Sequence, residues 1–169
     1  MTNRSVSANI MIGVAEEICP ECGLKPEPGQ PNCQTQRDEL LARDFEQPAL
    51  YWAFHRMAVD SYCLQHAPYV ASAKSLAAHL CGLCIALEHG RDAGQLRHLQ
   101  QWLSTNPKIE KPELPDQRGE ITIGRVYGIS DPVQFGEVVQ AWASSVWEAY
   151  RSLQPLARDW LSKGASMRR

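Results

Sequence analysis

No segment of this chain approaches the roughly 18 consecutive apolar residues that a membrane span requires, so no membrane-spanning helix is expected. The charge is close to balanced, with 17 Lys and Arg against 19 Asp and Glu and a net charge of -2. Backbone binding to nucleic acid needs concentrated positive charge, and the one compact basic spot is the tail Lys163, Arg168 and Arg169. Nucleic acid is therefore disfavoured as a partner. A glycine-rich phosphate loop, a serine nucleophile elbow and a His-Glu-x-x-His pair are all lacking. The aromatic residues are not interleaved with basic ones, which leaves a single-strand stacking platform without support.

What remains is an ordinary globular composition, 44% hydrophobic and 21% charged, in a chain of 169 residues long enough to bury a core as one domain. Residues 1–15 form only a weak apolar stretch before Glu16 and Glu17, without the pattern of an export signal, and are expected to be a flexible leader. A cytoplasmic location follows as the expectation. In that setting six cysteines suit metal ligation and buried thiols better than three disulfides.

The most specific chemistry lies in Cys19-Pro20-Glu21-Cys22-Gly23, followed by Cys33. Two thiolates separated by two residues converge on one tetrahedral ion, and the glycine behind them tolerates the positive φ of a tight loop. Cys33 supplies a third sulfur after a segment broken by Pro26, Pro28, Gly29 and Pro31. Zinc is the expected cofactor. The fourth ligand must come from elsewhere: His55, the next histidine, is the first choice, with Asp60, His66 and His79 as alternatives. A redox role for the pair is less favoured, because it precedes a proline-rich loop and does not open a helix.

From Arg37 onward the pattern is helical. Leu40, Leu41 and Phe45 share one spacing. Pro48 opens a second helix, over Ala49 to Gln65, that places Tyr51 or Trp52, His55, Val59, Tyr62 and His66 along one stripe until Pro68 ends it. Val70 to His89 repeats Leu76, Leu80, Leu83 and Leu87 ahead of Gly90, and its small residues Ala77, Ala78, Gly82 and Ala86 admit a close neighbour. Cys81 and Cys84 lie inside this helix and, like Cys63, read as core. A shorter helix carries Leu96, Leu99, Trp102 and Leu103 before a proline-rich connection from Asn106 to Gly119.

Ile121-Thr122-Ile123 and Val126-Tyr127 are compatible with a short strand or hairpin about Gly124. Ser130 or Asp131 then caps a helix beginning at Pro132, with Phe135, Val138, Val139, Trp142, Val146 and Tyr150 on its apolar face. The expected fold is a mainly α, compact helical bundle with an N-terminal zinc knuckle and room for one short hairpin. Residues 16–162 make the domain and 163–169 a flexible tail. Trp142 and Trp160 are assigned to the core, whereas Trp147, beside the stripe, is a candidate surface for a protein partner or for a second copy of the chain.

The patterns Cys19-Pro20-Glu21-Cys22-Gly23, Asp60-Ser61-Tyr62-Cys63-Leu64-Gln65-His66, Ser75-Leu76-Ala77-Ala78-His79-Leu80 and Trp142-Ala143-Ser144-Ser145-Val146-Trp147 together resemble a family of small bacterial proteins of unknown function. The resemblance spans about residues 16 to 162. It implies that the knuckle and the histidine-bearing helices belong to one unit, and it transfers no substrate.

Three functions compete on these residues. The first is a zinc-stabilised helical binding or scaffold protein. The second is a small metal-dependent enzyme, such as a hydrolase, using His55, Asp60, His66 and His79 in a pocket between helices, with His66, Asp60 and His79 as its catalytic candidates. The third is a nucleic-acid-binding zinc module. A structural polar network among the same histidines is the alternative to chemistry there.

Overall fold

The computed structural model describes residues 18–166, and the expected leader over 1–15 lies outside them. Among the described residues six α-helices follow one another, with short connections except for the long stretch 105–131 between the fourth and fifth: α1 (Cys33–Glu46), α2 (Pro48–Gln65), α3 (Ala73–Glu88), α4 (Ala93–Ser104), α5 (Pro132–Ala149) and α6 (Gln154–Ser166). Their ends follow the local chemistry. Asn32 caps α1 by accepting from the Thr35 N–H, Asp131 caps α5 by accepting from the Gln134 N–H, and Pro48 and Pro132 occupy first-turn positions where a missing N–H costs nothing. Ser72 and Ser75 satisfy each other's backbone in a capping box that opens α3. This start is three residues later than the leucine pattern predicts, because Ala67–Val70 forms a separate 3-10 turn. Gly90 ends α3 in the left-handed region, with φ 58°.

Helix α2 is the central element, packed on α1, α3 and α5, while α6 covers α3 and α4. The leucine stripe of α3 is inside: Leu76, Leu80 and Leu83 are completely buried. Truncating any of them to Ala would cost about 2–5 kcal/mol on general grounds. Polar pins fix the register. Gln65 donates to the Ile121 carbonyl and accepts from Trp142 Nε1, and the Tyr150 hydroxyl donates to the Leu64 carbonyl. At Gly136 a Cβ would collide with the Phe54 ring, so glycine there sets how closely α5 approaches α2.

Four sequence expectations are revised. The hairpin about Gly124 does not form, and the described residues contain no strand. Ile123–Arg125 is a 3-10 turn that sends both Ile123 and Val126 into the core; a three-residue spacing does this in a turn but not in a strand of period two. On α2, Tyr51 is buried and Trp52 is about half exposed, while Phe45 of α1 lies outside against Trp52. Trp147 is buried together with Trp142 and Trp160, and its indole N–H reaches Glu88, so its ring is not offered to solvent. Finally, α6 continues to Ser166, beyond the boundary expected at 162.

Candidate metal centre

The knuckle is a tight turn made by its own backbone. Gly23 N–H donates to the Cys19 carbonyl at 2.9 Å and Cys19 N–H to the Leu24 carbonyl at 2.9 Å, with Gly23 at φ 74°. This folding turns main-chain N–H groups onto sulfur: those of Cys22 and Glu21 serve Cys19, and that of Leu24 serves Cys22. Cys33 is the first residue of α1, where the positive end of the helix dipole favours a thiolate.

The fourth member is His66, which caps α2. Helices α1 and α2 form an antiparallel hairpin about Gln47 in an offset register, so a residue of α1 faces one five positions farther from the turn on α2. Asp44 meets His55 near the turn, and Cys33 meets His66 at the far end. The sulfur of Cys33 lies 3.5 Å from His66 Nε2 and 3.3 Å from the Cys19 sulfur, and Cys19 lies 3.6 Å from the same nitrogen. With Cys22 these form one group whose donor atoms all lie within 4.8 Å of one another. All six cysteines are free. The cluster is compatible with a metal ion.

His55, the first choice from sequence, is not at the cluster. Its Nδ1 is 3.0 Å from Asp44 Oδ2 and its ring stacks on Trp52 at 4.4 Å. The physical reason is distance along the hairpin: His55 is eleven residues, about three turns, from the end that carries Cys33.

The protonation states suit the donor set. Burial holds His66 below the ordinary imidazole range, with its bond to Tyr62 opposing. The Tyr62 carbonyl, 2.7 Å from His66 Nδ1, can only accept, so the neutral ring carries its proton there and presents the Nε2 lone pair to the sulfurs. Burial would raise the Cys19 thiol, but the N–H of Cys22, the Cys33 thiol and the N–H of Glu21 bring it below the ordinary thiol value. Cys22 and Cys33 are raised, chiefly by burial and further by the neighbouring Cys19 charge. The three thiols thus differ in acidity, with Cys19 losing its proton more readily than Cys22 or Cys33, and a bound cation would favour the thiolate form of all three.

Around the cluster, Tyr62 stacks on His66 at 3.9 Å and its hydroxyl lies 3.8 Å from the Cys33 sulfur. Glu21, between the paired cysteines, accepts from the Ala67 N–H at 2.9 Å and from Arg118 at 2.9 Å, so the knuckle is fastened to the turn after α2 and to the proline-rich connection. Leu24 packs against Gly124, where a Cβ would strike it.

Residues 17–151 match a family of unknown function, DUF5946. The chain belongs to the DUF5946 family. The match covers the cysteine cluster, α1 to α5 and both histidine-bearing helices. No curated protein and no solved structure matches the chain.

The remaining candidates of this DUF5946 chain lie apart from the cluster. Asp60 is completely buried, with Oδ1 2.8 Å from His79 Nδ1 and Oδ2 2.8 Å from Arg56 Nε. His66 is drawn off to the cysteines, so the expected set of His55, Asp60, His66 and His79 does not meet in one place. Cys63, Cys81 and Cys84 are buried, as expected of core thiols.

Proposed function

We propose that this chain is a zinc-stabilised helical binding or scaffold protein, with Cys19, Cys22, Cys33 and His66 as the zinc ligands. The observation that carries this reading is the state of His66: Nδ1–H is committed to a backbone carbonyl and Nε2 is aimed between two sulfurs. A histidine held in this way is the usual partner of a structural metal. An ideal tetrahedron of zinc with sulfur at about 2.3 Å and nitrogen at about 2.05 Å has sulfur–nitrogen edges of about 3.6 Å. The two separations of 3.5 and 3.6 Å agree with that edge.

Such an ion would be structural. Four protein donors close its coordination, and three thiolates leave it little Lewis acidity. Its role would be to hold the 19–33 loop against the far end of the α1–α2 hairpin. The metal-dependent hydrolase loses support because His66 belongs to the cysteines. Free thiols and the absence of a helix long and apolar enough to cross a membrane, among the described residues, are in keeping with a reducing cytoplasm.

The test is elemental analysis of purified, untagged protein beside Cys22→Ser. About one zinc per chain, lost from the variant together with cooperative folding, is the expected result. Metal retained in Cys22→Ser, or metal-free protein with unchanged folding, would overturn the reading.

A further inference from the structure

A second built site lies between α2, α3 and α4. A cavity of about 490 Å³ is lined by Trp52, His55, Arg56, Asp60, His79 and Leu96, among others. Two of its wall residues are histidines whose Nδ1 atoms each meet a completely buried carboxylate, His55 on Asp44 and His79 on Asp60. Asp60 also fixes Arg56, whose Nη2 donates to the Ala78 carbonyl at 3.1 Å. Among the described residues no hydrogen bond engages Arg56 Nη1, on a side chain two-fifths exposed.

The packing is built around this group. A Cβ on Gly82 would overlap the Asp60 carboxylate, so α3 carries no side chain where Asp60 and Arg56 cross it. Holding two helices together does not call for a buried carboxylate with two cations on it; apolar residues of the same volume often do as well or better. An arrangement of this kind points to work at the cavity.

The ligand's charge follows from the groups that face the cavity. The lining supplies His55, Arg56 and Asp60 from α2 and His79 from α3, with Cys63 beneath the surface; Asp44 of α1 lies behind His55 and is matched by Arg43, 3.7 Å away, which donates to the Ile129 carbonyl outside the cavity. Helix α4 adds only apolar Leu96. Burial alone would discharge His79, but its bonds to Asp60 and Cys63 outweigh that and push its pKa up to about 9. Arg56 and protonated His79 then face the single lining carboxylate, Asp60, an excess of positive charge. A metal cation is poorly served, since both Asp60 oxygens are taken and a guanidinium stands in the wall.

We propose that the cavity between α2, α3 and α4 binds a small oxyanion-bearing ligand, phosphate or carboxylate, held by Arg56 and His79 with Trp52 and His55 forming the adjoining wall. The site is separate from the cysteine cluster and stands whether or not that cluster holds zinc.

The experiment is a titration of the metal-replete full chain with inorganic phosphate, and separately with acetate, at constant ionic strength set with chloride. The readout is the imidazole resonances of His79 and His55, beside Arg56→Gln. Saturable shifts of both rings, with a dissociation constant of about 1 mM or below, are expected for one or both anions, weakened about tenfold or more in Arg56→Gln by the loss of a charge-assisted contact. Saturation by phosphate alone identifies a phosphate ligand, and saturation by acetate a carboxylate. Wild-type protein with no saturable shift overturns the proposal without reference to any variant. So do equal affinities in a folded Arg56→Gln, or the same shifts on raising chloride alone.

Discussion

The two ends of the α1–α2 hairpin use histidine in opposite ways. At the far end, His66 is buried, held neutral and turned with its lone pair toward three sulfurs that burial discourages from ionising together. Toward the hinge, His55 and His79 are each set against a buried aspartate, and His79 is held as a cation. The lesson is that an imidazole's surroundings set its protonation: at His66 burial and a carbonyl behind Nδ1 leave a neutral ring with a free Nε2 lone pair, whereas at His79 the carboxylate behind Nδ1 outweighs burial and raises the pKa.

The sharpest way to break the comparison is to remove one histidine from each end. His66→Ala should lose the bound metal and destabilise the chain by several kcal/mol, since binding energy at a structural zinc is folding energy. His55→Gln, which keeps an amide donor for Asp44, should retain about one metal per chain. Zinc analysis and thermal unfolding with and without chelator check both. If His55→Gln lost the metal and His66→Ala kept it, the assignment of the two ends would be reversed.

A smaller effect should separate the ends by pH. The folded pKa of His79 is raised to about 9 from an ordinary value of 6.5. Protonation is therefore tighter in the folded chain. The stability it contributes is fully present below about pH 6.5 and is lost as pH rises through about 9, on the order of 3 kcal/mol in all. Denaturant unfolding of wild type and His79→Gln across that window should give a decline in the former that is absent from the latter. Parallel curves would show that the Asp60–His79 pair is not held charged.

Much of this was readable from sequence because it depends on local chemistry. The turn at Cys19-Pro20-Glu21-Cys22-Gly23 is specified by five adjacent residues, the leucine stripe of α3 by its spacing, and the start of α5 by Asp131-Pro132. His66 stands among the alternatives for the fourth ligand, but pairing at equal distances across Gln47 sets Cys33 opposite Ser61, and the five-residue offset that brings His66 there is decided by packing. What no local pattern carries is the crossing of α2 and α3 at Gly82, which seats Asp60 between Arg56 and His79. Nor does residue type separate Trp147 from a surface indole, since its burial depends on Glu88, 59 residues away, receiving its N–H.

The smallest effect concerns how the metal end is attached. Glu21 is not one of the four proposed ligands, yet it stands between two of them and is bonded to the Ala67 N–H and to Arg118. The Ala67 N–H, and to a smaller degree Arg118, hold its carboxyl below the ordinary range in spite of some burial. Glu21→Gln keeps the shape and one acceptor but removes the charge, and Glu21 is partly exposed, so the loss should be only about 1 kcal/mol. Its signature lies in kinetics more than in amount. Metal content should stay at about one per chain, while release to a chelator speeds up several-fold, because the 19–23 turn opens more often from its seat beside α2. Unchanged release would mean that the knuckle is held by its ligands and Leu24 alone, and that the Glu21–Arg118 bridge contributes nothing to keeping it closed.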